Sequence, residues 1–314
     1  EVPNTDPGWD GIHADLDFAI ANLPETKINN EAGRVDKYAA IAYKAQAYMY
    51  QNQLGQAKTL LDQIITSGKY SLVPEYTWNF DMTHENNAES IFELQCSTSS
   101  TAHSAVNGSG CNNHQKGPAS CGGWGFYQPS QNLFEAFQVD ADGLPVLDIT
   151  ARKELASDMG IGSGADFTQT QEPLDPRVDF IIARRGVDYL GWGIHPGNDW
   201  VREQINGGPY YTKIFMHRQD EQSLNAYGTG FYNGKNYRTL RYARILLYRA
   251  ECAIADNDLD YARELVNMIR DRAKNSTPIM GLCTSTRDLG SNPVVDWTQP
   301  AANYSIEPYP DVAG

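Results

Sequence analysis

The side chains that could bind a metal, a nucleotide or a sugar lie mostly between His84 and Gly230. His103, Cys111, His114 and Cys121 contain one Cys-x-x-His spacing that suits zinc. No paired Cys-x-x-Cys accompanies it, and structural zinc sites are built from such pairs. Asp140-x-Asp142-Gly143 with Asp148 resembles the start of a calcium loop. Its Gly falls two places early and the closing Glu is absent, which favours an ordinary turn. His84-Glu85-Asn86-Asn87-Ala88 lacks the second His of a zinc-protease helix. Gly228-x-Gly230 follows no apolar strand and is not a dinucleotide loop. These readings assign no metal and no cofactor. Glycoside hydrolysis needs two carboxylates flanking the bond. The chain has 39 Asp and Glu, and context singles out no pair, so no catalytic residue is assigned. Asp15, Glu89, Glu93 and Glu251 read as capping and surface charge.

Aromatic residues in Gly-rich loops are the more informative set. Trp124 lies with Phe126 and Tyr127, Tyr189 with Trp192, and Trp200 beside Asn198, Asp199 and Arg202. A sugar ring presents an apolar C–H face, and Trp or Tyr offers a flat partner with a polar edge. Asn198, Asp199 and Arg202 could bond the hydroxyls. The candidate ligand-binding residues are therefore Trp124, Tyr127, Trp192, Asn198, Asp199 and Trp200. The competing reading makes each Trp a plug beneath its loop. Trp9 and Trp78 read as packing residues, and Trp297 is unassigned.

Composition narrows the partners. With 18 Tyr and 6 Trp, part of the aromatic surface must reach solvent, which suits sugars or peptides. The net charge of −14 argues against nucleic acid, whose phosphates require clustered Lys and Arg. No run of about 20 apolar residues is present to span a membrane. Of five Cys, Cys252 reads as an inert core thiol. Cys111 and Cys121 could be bridged in an oxidising compartment or remain free.

These loops need a scaffold, and the hydrophobic periodicity supplies one. Residues 38–70 carry apolar positions at helical spacing on both sides of Asn52-Gln53-Leu54-Gly55. Ala45 and Ala57 mark where two antiparallel helices come close, as in a tetratricopeptide-type hairpin. Such a hairpin cannot bury its own face, so a second copy is expected. Residues 248–270 supply it: Tyr43, Ala45, Asn52, Leu54, Ala57, Leu61 and Ile64 match Tyr248, Ala250, Asn257, Leu259, Ala262, Val266 and Ile269 without a gap. Asp6 to Leu23 reads as a further helix, capped by Asp6 with Pro7 in its first turn. Glu89 to Gln95 alternates as a strand. Pro129 to Phe137 reads as a short helix with Leu133, Ala136 and Phe137 inward. Val178 to Ala183 is strand or helix, Tyr210 to Met216 a strand, and Arg238 to Ala255 the helix that opens the second hairpin. The fold class is mainly α, with tetratricopeptide-like hairpins and a large loop-rich insertion. The expected division is 1–95 helical scaffold, 96–236 loop-rich ligand-binding insertion, 237–275 second hairpin and 276–314 irregular tail.

Several motifs in order resemble one family. They are Ile12-x-x-Asp15-Leu16-x-x-Ala19, Leu23-Pro24, Gly33-Arg34, Ser67-Gly68-Lys69-Tyr70, Asn86-Asn87-x-Glu89-Ser90-Ile91-Phe92-Glu93-Leu94-Gln95, Pro129-Ser130-x-x-Leu133, Asp142-Gly143, Asp175-Pro176-Arg177 and Arg241-Tyr242-Ala243-x-x-Leu246-Leu247. Together they resemble the SusD/RagB outer-membrane nutrient-binding lipoproteins. The resemblance implies a tetratricopeptide-like helical scaffold holding an irregular region. It implies a binder of glycans, or alternatively of peptides, without catalysis; a glycoside hydrolase is the more distant alternative. It also implies cell-surface localisation through a lipid anchor not present in this chain, and a SusC-like TonB-dependent transporter as partner. Against that pattern the chain is expected to be incomplete at both ends.

Overall fold

Small residues at the inner positions let the helices of each pair close on one another. In the computed structural model, which describes residues 8–96, 125, 127–224 and 234–311, the chain opens with α1 (Trp9–Asn22), α2 (Lys37–Tyr50) and α3 (Leu54–Thr66). Strand β1 (Ser90–Leu94) follows. The described part of the loop-rich stretch holds short pieces: α4 (Gln131–Glu135), α5 (Arg177–Ile181) running into β2 (Ile182–Ala183), α6 (Gln204–Gly207) and β3 (Tyr211–Thr212). Then come β4 (Tyr237–Arg241), α7 (Tyr242–Ala255), α8 (Leu259–Asn275), β5 (Met280–Cys283) and β6 (Val295–Pro300). The strands pair antiparallel as β1–β4, β2–β3 and β5–β6. None of the described helices is long and apolar enough to cross a membrane.

The two hairpins repeat one another down to their turns. Asn52 and Asn257 both take the left-handed conformation, at φ 55° and 59°. Asn enters that region more readily than most side chains. The following amides reach back to the same place: Gln53 N to Tyr48 O at 2.9 Å and Asp258 N to Ala253 O at 2.8 Å. Asn52 N to Met49 O and Asn257 N to Ile254 O complete both caps at 3.0 Å. This is the two-bond Schellman ending of a helix. The next helix then starts on an alanine-lined contact, Ala57 and Ala262 both being buried.

Although far apart in sequence, the hairpins share one core. Helix α3 packs on α7, and α1 lies on α2. Ala42, Ala45, Leu61 and Ile64 meet Ile245, Leu246, Ala250 and Ala253 in a single cluster. Arg249 Nε donates to Asp62 Oδ1 at 2.6 Å across the junction.

The clip that locks this frame is ionic. Neither Glu89, just before β1, nor Glu93 within it turns outward as the surface-charge reading expects. Glu89 and Glu93 have no exposed surface, whereas Leu94 is 52% exposed. Glu89 accepts from Arg241 Nη1 at 3.0 Å and Arg272 Nη1 at 2.8 Å. Asn79 Nδ2 and the Val73 amide complete its shell, at 3.1 Å and 3.3 Å. Glu93 pairs with Arg238 and takes the Asn86 amide at 3.1 Å. The acids face inward because three arginines wait there, on β4 and α8.

Other boundaries shift for similar reasons. Residues 237–241 are strand, since they pair with β1, so the second hairpin opens at Tyr242 and not at Arg238. The first helix starts at Trp9 after Gly8, later than an Asp6 cap requires. On α4 it is Phe134 that is buried, tilted against Tyr210 and beneath the Arg184 guanidinium, while Leu133 is exposed. Residues 178–183 are helix and then strand, and only Tyr211–Thr212 of the 210–216 stretch is strand. The stretch from 276 onward is not irregular throughout: β5 and β6 pair, and Tyr304 bridges to Leu174.

Replacing Glu89 by Ala strands Arg272 and Arg241 beside a buried void. Breaking a buried pair in this way costs about 3–5 kcal/mol. Denaturant unfolding of Glu89→Ala should show a loss of that size. A loss below about 1 kcal/mol is what a solvated pair gives and would contradict the clip.

Candidate functional site

A two-residue ladder such as β2–β3 cannot hold a loop-rich segment by itself. A buried charge group does so. Asp179 accepts the Arg184 fork at 2.7 Å through both Nε and Nη2. Tyr304 OH donates to the same carboxylate at 2.6 Å. Lys213 Nζ donates to the backbone oxygens of Asp179 and Asp188, each at 2.8 Å. Burial opposes ionisation of Asp179, yet Arg184, Lys213 and Tyr304 outweigh it and leave its pKa below the usual carboxylate value. Burial pulls Lys213 down to about 8 against the attraction of Asp179 and Asp188.

On this base sits an aromatic group centred on Tyr189, which is buried. Trp200 meets Tyr189 edge-on at 6.1 Å and His195 at 5.4 Å. Trp192 stands edge-on to His217 at 5.8 Å, and its Nε1 donates to His217 O at 3.4 Å. Tyr189, Tyr211, Ala183 and Met216 form the buried cluster against which Trp192 and Trp200 pack. His195 is fully buried, and burial, then Lys213 and Arg185, depress its pKa to about 3.

The six predicted residues therefore fall into different places. Trp192 and Trp200 join one cluster and are half-buried, so the plug reading describes most of their surface. Asn198 and Asp199 are exposed on the short turn that ends in Trp200. Tyr127 is 66% exposed, rests on Phe215 at 5.1 Å between centroids, and has φ 58°. Gln128 fixes its segment by donating to Gly208 O at 3.0 Å. Gly125 lies against Arg202, where an added Cβ would come within 3.1 Å of the Arg202 Cβ. The segment that carries Tyr127 thus touches the segment that follows the Asn198–Trp200 turn at Gly125 and Arg202. Trp124 and Phe126 lie outside the described residues, as do His103, Cys111, His114, Cys121, Gly228 and Gly230.

What supports the Asn198–Trp200 turn from beneath was not read from the sequence. Gly197, at φ 91°, precedes it. A Cβ there would lie 2.4 Å from Asp158 Oδ2 and 2.9 Å from Arg185 Cδ, so only Gly fits. Arg185 donates to Ser163 O at 3.0 Å, and the Asp199 amide donates to Ser163 Oγ at 2.9 Å. The Gly before Asn198 was a legible turn signal; the Asp158–Arg185 support was not, because it joins distant segments. Elsewhere, Asp140–Gly143 is a turn in which Asp140 Oδ1 accepts the Asp142 and Leu144 amides at 2.9 Å. His84 pairs with Asp81 at 2.8 Å and stacks on Trp78.

A family model described as SusD family matches residues 88–278. No curated protein matches the chain. Among solved structures, a SusD superfamily protein from Bacteroides vulgatus is 26% identical with TM-score 0.54, over 85% of this chain and 49% of its own. A SusD-like carbohydrate binding protein from Bacteroides fragilis is 21% identical with TM-score 0.63, over 86% and 51%. Surface glycan-binding protein A from Bacteroides thetaiotaomicron, in complex with laminarihexaose, is 19% identical with TM-score 0.57, over 86% and 55%. The chain spans about half the length of these structures.

Asp158 gives the site a testable pH signature. Burial raises its pKa from 3.8 to about 6, against the pull of Arg185. A carboxyl whose folded pKa is raised contributes stability below the unfolded value, and that contribution disappears as pH climbs through the folded one. Asp158→Asn should therefore be more stable than the parent at pH 7 to 8, by on the order of 2 kcal/mol. The advantage should shrink between pH 6 and pH 4, as read by thermal unfolding across pH. A gain that does not vary with pH would contradict it.

Proposed function

Because the chain belongs to the SusD family, we propose that it captures oligo- or polysaccharide at the bacterial cell surface and delivers it to a SusC-like TonB-dependent outer-membrane transporter. On this reading it is a lipid-anchored binder that performs no chemistry on its ligand. The carrying observation is the exposed ring of Tyr127, braced on Phe215, in a segment whose Gly125 lies against Arg202, close in sequence to the exposed polar turn Asn198–Asp199. A flat aromatic beside amide and carboxylate groups matches what a sugar ring offers: C–H bonds on its face and hydroxyls on its rim. Trp200, at the end of the same turn, is half-buried. Solved relatives named as carbohydrate-binding, one holding laminarihexaose, support the choice of ligand class. The charge of −14 favours a neutral ligand over an acidic one.

Titration calorimetry against laminari-, xylogluco- and other oligosaccharides, with a peptide panel alongside, tests the proposal. One glycan should bind, and no new reducing ends should appear on incubation. Tyr127→Asn removes the ring with a residue that tolerates the left-handed backbone. It should weaken binding about tenfold, the upper worth of one aromatic contact. Trp192→Ala should lower the melting temperature and leave affinity within a factor of about two. Binding of peptides alone, or release of shortened sugars, would overturn the reading.

A further inference from the structure

We propose that His195 is the positioning residue of the site: its ring nitrogen Nδ1 holds the Asn198–Trp200 turn in the orientation that offers Asn198 and Asp199 to a ligand. The buried Gly197 amide donates to His195 Nδ1 at 3.1 Å. The Gly197 carbonyl accepts the Trp200 amide at 3.0 Å and so opens the turn. One residue therefore joins ring and turn, its N–H going to the first and its C=O to the second. The ring stands on a pinned backbone. His195 N donates to Val187 O at 3.0 Å, and His195 O accepts the Gly186 amide at 2.8 Å. Pro196, whose φ is fixed by its own ring, links this anchor to Gly197.

The same hydrogen bond fixes the tautomer. A ring nitrogen that accepts an N–H carries no proton, so the proton of the neutral imidazole sits on Nε2. Burial, with Lys213 and Arg185 behind it, keeps the ring neutral. Nε2 is itself buried and meets no hydrogen-bond partner among the described residues. Burying an unmatched polar atom is unfavourable, and Phe would fill the space without that penalty. Edge-on packing against Tyr189 and Trp200 is open to either side chain. What imidazole adds over a phenyl ring is the acceptor for Gly197.

Gly197 is buried, and a buried amide that loses its acceptor must find another. The pinned backbone of His195 leaves the turn as the part that moves, and the turn is where Asn198 and Asp199 reach water. The Asp199 amide has its own hold on Ser163 Oγ at 2.9 Å, which fixes the middle of the turn but not its start. Loss of the His195 acceptor therefore falls on the two side chains that stand ready to bond hydroxyls. That these meet a sugar rests on the function proposed above; the hold of His195 on the turn does not.

Two variants separate the acceptor from the ring. His195→Asn brings a side-chain oxygen close to the place of Nδ1 and gives up the ring. His195→Phe keeps a ring and gives up the acceptor. Calorimetry with the tightest binder among laminari- and xylogluco-oligosaccharides should find affinity about tenfold weaker in His195→Phe and within about threefold of the parent in His195→Asn. A loss in His195→Asn as large as in His195→Phe, or parent affinity in His195→Phe, would overturn the proposal. Should His195→Phe not fold, the parent protein decides. Long-range proton–nitrogen NMR of its imidazole should place the proton on Nε2, and the Nδ1 resonance should shift when that oligosaccharide saturates the protein. A proton on Nδ1, or an Nδ1 resonance indifferent to the sugar, would overturn it equally. If no oligosaccharide of the panel binds the parent, the sugar reading falls by itself. Amide exchange at Gly197 then still tests the hold: slow in the parent and His195→Asn, and fast in His195→Phe, upholds it, whereas equally slow exchange in His195→Phe refutes it.

Discussion

Glu89 stands where three parts of the chain cross. Its carboxylate receives Arg241 at the end of β4, Arg272 near the end of α8, and the Val73 amide from the exit of the first hairpin. Taking such a group fully out of water is costly unless partners like these meet it. Each arginine in turn is placed by a different element. The clamp therefore forces the first hairpin, the β1–β4 ladder and the second hairpin into one arrangement. The alanine contacts of the shared core then close at a fixed spacing. Hydrophobic burial supplies the larger free energy, but it is not directional. The buried ions give it a register.

A frame fixed in this way allows the long excursion between the hairpins to dispense with regular structure. That segment repeats the same device on a smaller scale. Asp179, Arg184, Lys213 and Tyr304 make a second buried polar group around a two-residue ladder. Tyr304 comes from the far end of the chain, so the last described stretch stabilises the loops, in contrast to a trailing tail. Aromatic residues pack beside this group, and among the described loop aromatics Tyr127 keeps its ring exposed. Loop surfaces set on rigid elements are where binding groups are commonly found.

Much of the frame could be read from the sequence because its signals are local. The Asn-x-Leu-x-x-Ala turn encodes a left-handed cap and a close helix contact within a few residues, and both copies behave identically. β1 was legible as a strand, but not for which face is inside. Alternation alone puts Glu93 outward; Arg238, distant in sequence, reverses that. The helix boundary at Tyr242 failed for the same reason, since helical spacing continues into residues that a partner strand claims. In the site, Gly-rich loops correctly marked where aromatics gather. They did not reveal that Tyr189 would be buried, or that Trp192 and Trp200 would pack inward, because loop packing depends on long-range partners such as His217 and Met216.

In the function proposed, a stiff helical frame presents one loop surface to a sugar. Hydrogen–deuterium exchange, compared with and without a saturating bound oligosaccharide, addresses it directly. Exchange should slow in residues 185–216, while the interiors of α2, α3, α7 and α8 stay unchanged. Slowing confined to those helices, or no change between 185 and 216, would contradict the account.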